Sequence, residues 1–185
     1  VCSDADLPRA AQAAVRGMNL EACQGQSCMS TSRVLVHRSL AKKLVEHVAA
    51  QFELISPGDP LDPETQMGSL VTHAHRDRVM SYVNKGKEEG ARLVVGGIPP
   101  SDPGLARGAF VPPTLFDQVA PSMTIAREEI FGPVLSVLEW DTEEEAIAIA
   151  NGVNYGLTAS VWTRDLERAQ RMVSQLESGR VFVNS

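Results

Sequence analysis

The chain has 185 residues, 43% of them hydrophobic and 22% charged, with 17 basic against 23 acidic side chains. That composition fits a folded domain with its own core, and the net charge of −6 speaks against nucleic acid or an anionic membrane as partner, since each selects a concentrated basic face. No apolar run approaches the roughly 20 residues that span a bilayer, the opening Val1–Asp6 carries neither the basic nor the apolar region of a signal peptide, and the odd set Cys2, Cys23 and Cys28 reads as reduced thiols in the cytoplasm.

Asp6 predicts a helix start, with Pro8 in the first turn and Leu7, Ala10, Ala11, Ala14, Val15 and Met18 along one face. Arg33–His37 predicts a strand, and Ser39 caps a helix bearing Leu40, Leu44, Val45, Val48, Ala49 and Phe52 at helical spacing. Residues 56–72 form a long Pro-, Gly- and Asp-rich connection, a length that often carries function. Thr72 caps the next helix, which stops at Gly90. Strands are predicted at Arg92–Val95, closed by Gly96-Gly97, at Phe110–Phe116 and at Val134–Trp140. Thr142 and Glu145 form a capping-box pattern for a helix ending at Asn151-Gly152. Thr158–Thr163 reads as a strand; Asp165 caps a helix with Leu166, Ala169, Met172, Val173 and Leu176 that Gly179 ends. A last strand, Arg180–Asn184, falls at the end of the chain, which therefore looks cut from a longer protein. Such alternation predicts an α/β fold, a three-layer αβα sandwich with a mainly parallel sheet.

Gly25-Gln26-Ser27-Cys28 places a thiol after a glycine turn, at a segment end where free backbone N–H groups can stabilise an oxyanion. The residues alone leave open a buried cysteine acting as a small hydrophobe. The Cys23-x4-Cys28 spacing lies outside the usual zinc knuckles. His73 and His75 stand at i, i+2, which points their rings to different sides of a helix and disfavours a shared metal. A Cys–His pair of the hydrolase type stays open, because such partners need only meet in space. In Arg127-Glu128-Glu129-Ile130-Phe131-Gly132-Pro133 adjacent carboxylates and an aromatic precede a strand. Carboxylates there could accept hydrogen bonds from ribose hydroxyls; on physics alone a solvated Glu pair beside a turn is the simpler reading.

Taken in order, five segments resemble the aldehyde dehydrogenase superfamily over nearly the whole chain. They are Gly25–Cys28 with Ser32-Arg33; Asp62-Pro63-Glu64-Thr65-Gln66-Met67-Gly68-Ser69-Leu70; Glu128–Val134; Asn151 with Asn154-Tyr155-Gly156-Leu157; and Gly179–Asn184. The resemblance implies a catalytic Cys28 that attacks an aldehyde, passing through a thiohemiacetal and a thioester to a carboxylic acid. It implies NAD or NADP as cofactor, Glu129 on the nicotinamide ribose, Phe131 against the nicotinamide, and the Cys28 N–H in the oxyanion hole. Residues 1–185 would then be the cysteine-bearing part of the catalytic domain. The general-base Glu, the oxyanion Asn, the adenine-binding part and the C-terminal oligomerisation tail would lie outside the chain, and the full-length enzyme would be a homodimer or homotetramer. Ser69 stands where the family often has proline, which bears on the rigidity of that loop. A relative that acylates coenzyme A, and a fragment without activity of its own, are the alternatives; neither the aldehyde nor the choice between NAD and NADP is legible.

Overall fold

The computed structural model describes residues 1–185. Short, nearly continuous apolar runs build the sheet. In β4 (Val134–Trp140) and β1 (Arg33–His37) successive side chains point to opposite faces, and both faces are covered. β3 (Thr114–Asp117) pairs parallel with β4, and β4 parallel with β1; β2 (Arg92–Val95) adds an antiparallel edge, so the order is β1-β4-β3-β2.

One face carries Val34, Val36, Leu115, Leu135 and Val137, packed under α1 (Leu7–Gly17) and α3 (Arg38–Phe52). The other carries Phe116, Val134 and Leu138, packed under α4 (His73–Glu88) and α5 (Thr124–Arg127). These are the three layers of the expected sandwich. A third cluster of Cys2, Trp140, Ala146, Val161 and Met172 joins this body to α6 (Glu143–Asn151), α7 (Leu166–Gln175) and a separate parallel pair, β5 (Thr158–Val161) with β6 (Arg180–Val183). Arg168 on α7 pins this junction with ion pairs to Asp4 at 2.8 Å and Glu143 at 2.7 Å.

The local readings hold at most helix starts. Asp6, Thr72, Thr142 and Asp165 each cap a helix through the side-chain oxygen. The Glu145 carboxylate reaches back to Asp141 N rather than to the cap residue itself, at 2.7 Å. α3 differs: His37 is its cap, its Nδ1 accepting from Ser39 N, because the strand runs straight into the helix. The strand expected at Phe110–Phe116 is shorter and starts at Thr114, since Pro112 and Pro113 have no N–H to give a ladder. β5 stops at Val161, two residues early, and Leu166 is exposed at the start of α7 rather than on its buried face. α7 ends at Gln175, before Gly179, because Leu176 is already extended.

Phe116 is fully buried between α4 and α5, where Gly86 on α4 leaves room for its ring. Phe116→Ala in the full-length protein should cost about 3–5 kcal/mol through the cavity it leaves, read as a lowered urea midpoint. Leu61→Ala, at a side chain 90% exposed, should stay within about 0.5 kcal/mol of wild type.

Candidate active site

After α1 the chain makes a single-turn helix, α2 (Leu20–Cys23), bounded by left-handed residues at Asn19 and Gln24. Gly25 follows at φ +75°, so the chain turns twice within a few residues. Thr31 N donates to Gly17 O at 2.8 Å and Ser30 Oγ donates to Met18 O at 3.0 Å, which closes residues 18–31 into a loop on the end of α1. Ser27 organises the tip: its carbonyl accepts from Ser30 N at 3.0 Å and its hydroxyl from Met29 N at 3.2 Å. Between them Cys28 is exposed, and its backbone N–H donates to no atom of the chain. The sulfur of Cys23 turns the other way, toward Asn19 O at 3.5 Å.

Glycine brings this loop against a distant segment. A side chain at Gly25 would stand 2.4 Å from Gly132 O and 3.0 Å from Pro133 N, so the two backbones touch and only glycine fits. The Gln26 side chain extends the contact by accepting from Val71 N at 3.0 Å, tying in the long 56–72 connection. Three of the segments singled out in the sequence therefore meet at one place.

The Glu128–Gly132 segment is held by α4. Arg78 donates to Glu129 O at 3.0 Å and to Ile130 O at 2.7 Å, and His75 Nε2 donates to Phe131 O at 2.7 Å. The carbonyl acceptor requires the Nε2–H tautomer. Tyr82, stacked under the Arg78 guanidinium at 5.0 Å, donates its hydroxyl to Glu128 Oε2 at 2.7 Å. Burial, then that bond to a carboxylate, raises the Tyr82 phenol above its ordinary range, which keeps it a donor. Gly132 sits against Val79 with no space for a side chain. Phe131 itself has φ +60°, a left-handed conformation that costs a non-glycine residue roughly 1 kcal/mol or more. The outcome for the two adjacent carboxylates is unequal. Glu128 is engaged by Tyr82, whereas Glu129 is exposed and has no hydrogen-bond or ion-pair partner.

Cys28, Glu129 and Phe131 all line one cleft of about 1130 Å³, together with Ser27, Asn154 and Tyr155. No group of three His, Cys, Asp or Glu side chains is arranged to hold a metal ion. His73 and His75 diverge, as their spacing implies: His73 Nε2 donates to Arg107 O at 2.8 Å and His75 to Phe131 O. His75, Arg78 and Tyr82 were not singled out from the sequence as a set. Their i, i+3, i+7 spacing on one helix face was the available signal.

The family model described as the aldehyde dehydrogenase family matches residues 1–185. The chain belongs to the aldehyde dehydrogenase family. It is 46% identical over 185 residues to a betaine aldehyde dehydrogenase of Brucella anthropi, covering 100% of this chain and 38% of that relative. Among solved structures it superposes on an NAD-dependent aldehyde dehydrogenase from Sinorhizobium meliloti with TM-score 0.91 at 41% identity, and on a betaine aldehyde dehydrogenase from Staphylococcus aureus in complex with NAD+ with TM-score 0.93 at 36% identity. Each alignment covers 100% of this chain and 36% of the solved one. This aldehyde dehydrogenase chain thus spans well under half the length of the relatives it matches, and over that span its αβα layers are those of the family. No helix in it is long and apolar enough to cross a membrane.

Proposed function

We propose that this chain supplies the nucleophile and the nicotinamide-side contacts of an NAD(P)-dependent aldehyde dehydrogenase, with Cys28 catalytic and Glu129 and Phe131 cofactor-binding. The supporting observation is the convergence of an exposed thiol, an unpaired carboxylate and an exposed phenyl ring in one cleft, although about a hundred residues separate them in the chain. The relatives named above, NAD-dependent or solved with NAD+, support the cofactor.

The residues fit that group. A free carboxylate on a backbone clamped at three successive carbonyls can accept from the two hydroxyls of a ribose without first losing another partner. Phe131, held left-handed at the cleft, offers a flat apolar face for a nicotinamide ring.

The chemistry starts at Cys28. Its thiol proton passes to solvent, the sulfur adds as thiolate to the aldehyde carbon, and the carbonyl electron pair moves to oxygen. The unpaired Cys28 N–H donates to that oxyanion. Glu129 and Phe131 would hold NAD(P)+, which would supply the hydride acceptor needed for this thiohemiacetal to become a thioester. Water then adds to the thioester, releasing the carboxylic acid and returning the thiol. Segments of the full-length protein outside residues 1–185 supply the base for that water, the adenine-binding part and the oligomerisation tail, and the whole works as a cytoplasmic homodimer or homotetramer.

Glu129→Gln in the full-length protein should raise the NAD+ KM about tenfold, because a charge-assisted bond to the ribose becomes a neutral one. Steady-state titration of NAD+ at saturating betaine aldehyde, proposed as a substrate because the Brucella and Staphylococcus relatives are named for it, reads this, and an unchanged KM removes Glu129 from the cofactor site. The product should be the free carboxylic acid whether or not coenzyme A is added; an acyl-coenzyme A product would select the acylating chemistry instead.

A further inference from the structure

The α4 helix does more than cover the sheet. Three consecutive carbonyls, those of Glu129, Ile130 and Phe131, each accept from one of its side chains, and nothing else in the chain donates to them. Consecutive carbonyls normally find partners in a strand ladder or a helix. Here the segment is neither, lying between the single-turn α5 and β4, and Phe131 is left-handed. Such a conformation persists where the surroundings over-determine it. His75 is half-buried and Arg78 is exposed; the bonds to Glu129 O and Phe131 O lie at the surface and the bond to Ile130 O is part-buried.

We propose that His75 and Arg78 are positioning residues for the cofactor: α4 sets the backbone of residues 129–131, and through it where the Glu129 carboxylate and the Phe131 ring stand in the cleft. This rests on the reading of Glu129 and Phe131 as cofactor contacts. The two donors differ in what can replace them. A glutamine amide reaches about as far as an imidazole Nε2 and donates equally well to a carbonyl. The Arg78 guanidinium serves two carbonyls at once from a rigid fork, which a lysine ammonium cannot reproduce.

The test is steady-state kinetics on the full-length protein with NAD+ and betaine aldehyde, and a melting curve for each variant. His75→Ala should raise the NAD+ KM about fivefold with kcat within about twofold of wild type, the expected loss of one hydrogen bond's worth of positioning. His75→Gln should bring the KM back to within about twofold. Arg78→Lys should raise it about fivefold. Combining His75→Ala with Glu129→Gln should raise KM by less than the product of the single effects, since both act through one carboxylate. A merely structural role would lower the melting temperature and kcat together, with no separate rise in the NAD+ KM. The proposal is overturned by an NAD+ KM in His75→Ala equal to wild type, or by fully multiplicative effects in the double variant. Glu129→Gln alone separates the two levels. If it leaves the KM unchanged, the cofactor reading itself fails; if it raises the KM while His75→Ala does not, only the positioning role fails. Should His75→Ala not accumulate as folded protein, His75→Gln against Arg78→Lys asks the same question: equal KM values in the two would sink the proposal.

Discussion

Cys28→Ser in the full-length protein is expected to lose aldehyde oxidation by a factor on the order of 10⁴, while NAD+ still binds. The reason lies in what surrounds the sulfur. A serine hydroxyl becomes a useful nucleophile only when a base takes its proton, and none of the imidazoles of residues 1–185 is placed to take it. All four imidazoles are engaged elsewhere: His37 with Ser39, His47 with Lys43 O, His73 with Arg107 O, and His75 with Phe131 O. A thiol gives up its proton far more readily than a serine hydroxyl, and the thiolate is the attacking species. The exchange changes volume little at an exposed turn, so the fold should keep its melting temperature. Cys23→Ser is the control. Its sulfur is turned to Asn19 O, and kcat should stay within about threefold of wild type. Substantial oxidation by Cys28→Ser would mean that another group attacks the aldehyde.

Gly25→Ala should be the most damaging change that removes no functional group. Two penalties coincide there. The φ of +75° is strained for any side chain, and the new methyl would press on Gly132 O at 2.4 Å, a backbone atom that cannot rotate aside. The loop bearing Cys28 and the segment bearing Phe131 must then separate. A displacement near an ångström between reacting groups costs roughly a hundredfold in rate, and the strain should lower stability by about 2–3 kcal/mol. Gly90→Ala is the instructive comparison. Its φ is +95°, but nothing lies within 4 Å of the new methyl, so only the conformational cost of about 1 kcal/mol remains and activity should be near wild type. Melting curves and kcat/KM for the two variants check this, and equal behaviour would show that the contact between the two segments does not organise the site.

Periodicity located β1 and β4 with the bounds that the structure has, because strands buried on both faces carry continuous apolar runs between clear punctuation. Four helix starts were legible because their caps use oxygen side chains; the His37 cap was not, since a strand residue gives no such signal. The one-turn helices α2 and α5 are too short for any periodicity to emerge, and the pairing of β5 with β6 apart from the main sheet has no counterpart in local sequence. The candidate site was legible in its reactive groups through resemblance, but not in its support. Gly25 reads as an ordinary turn glycine until Gly132 is seen against it. From the sequence His75 is weighed only as a metal ligand beside His73 and Arg78 is given no role, because their partners are backbone carbonyls, which leave no trace in residue identity.

The most direct test of Cys28 as nucleophile is peptide mass analysis of the full-length protein quenched in acid soon after mixing with betaine aldehyde and NAD+. Attack followed by loss of hydride leaves a thioester, so the peptide containing Cys28 should gain the mass of the aldehyde less two hydrogens, and the adduct should vanish in Cys28→Ser. Oxidation that proceeds with the adduct on Cys23, or with no adduct on any cysteine, would contradict it.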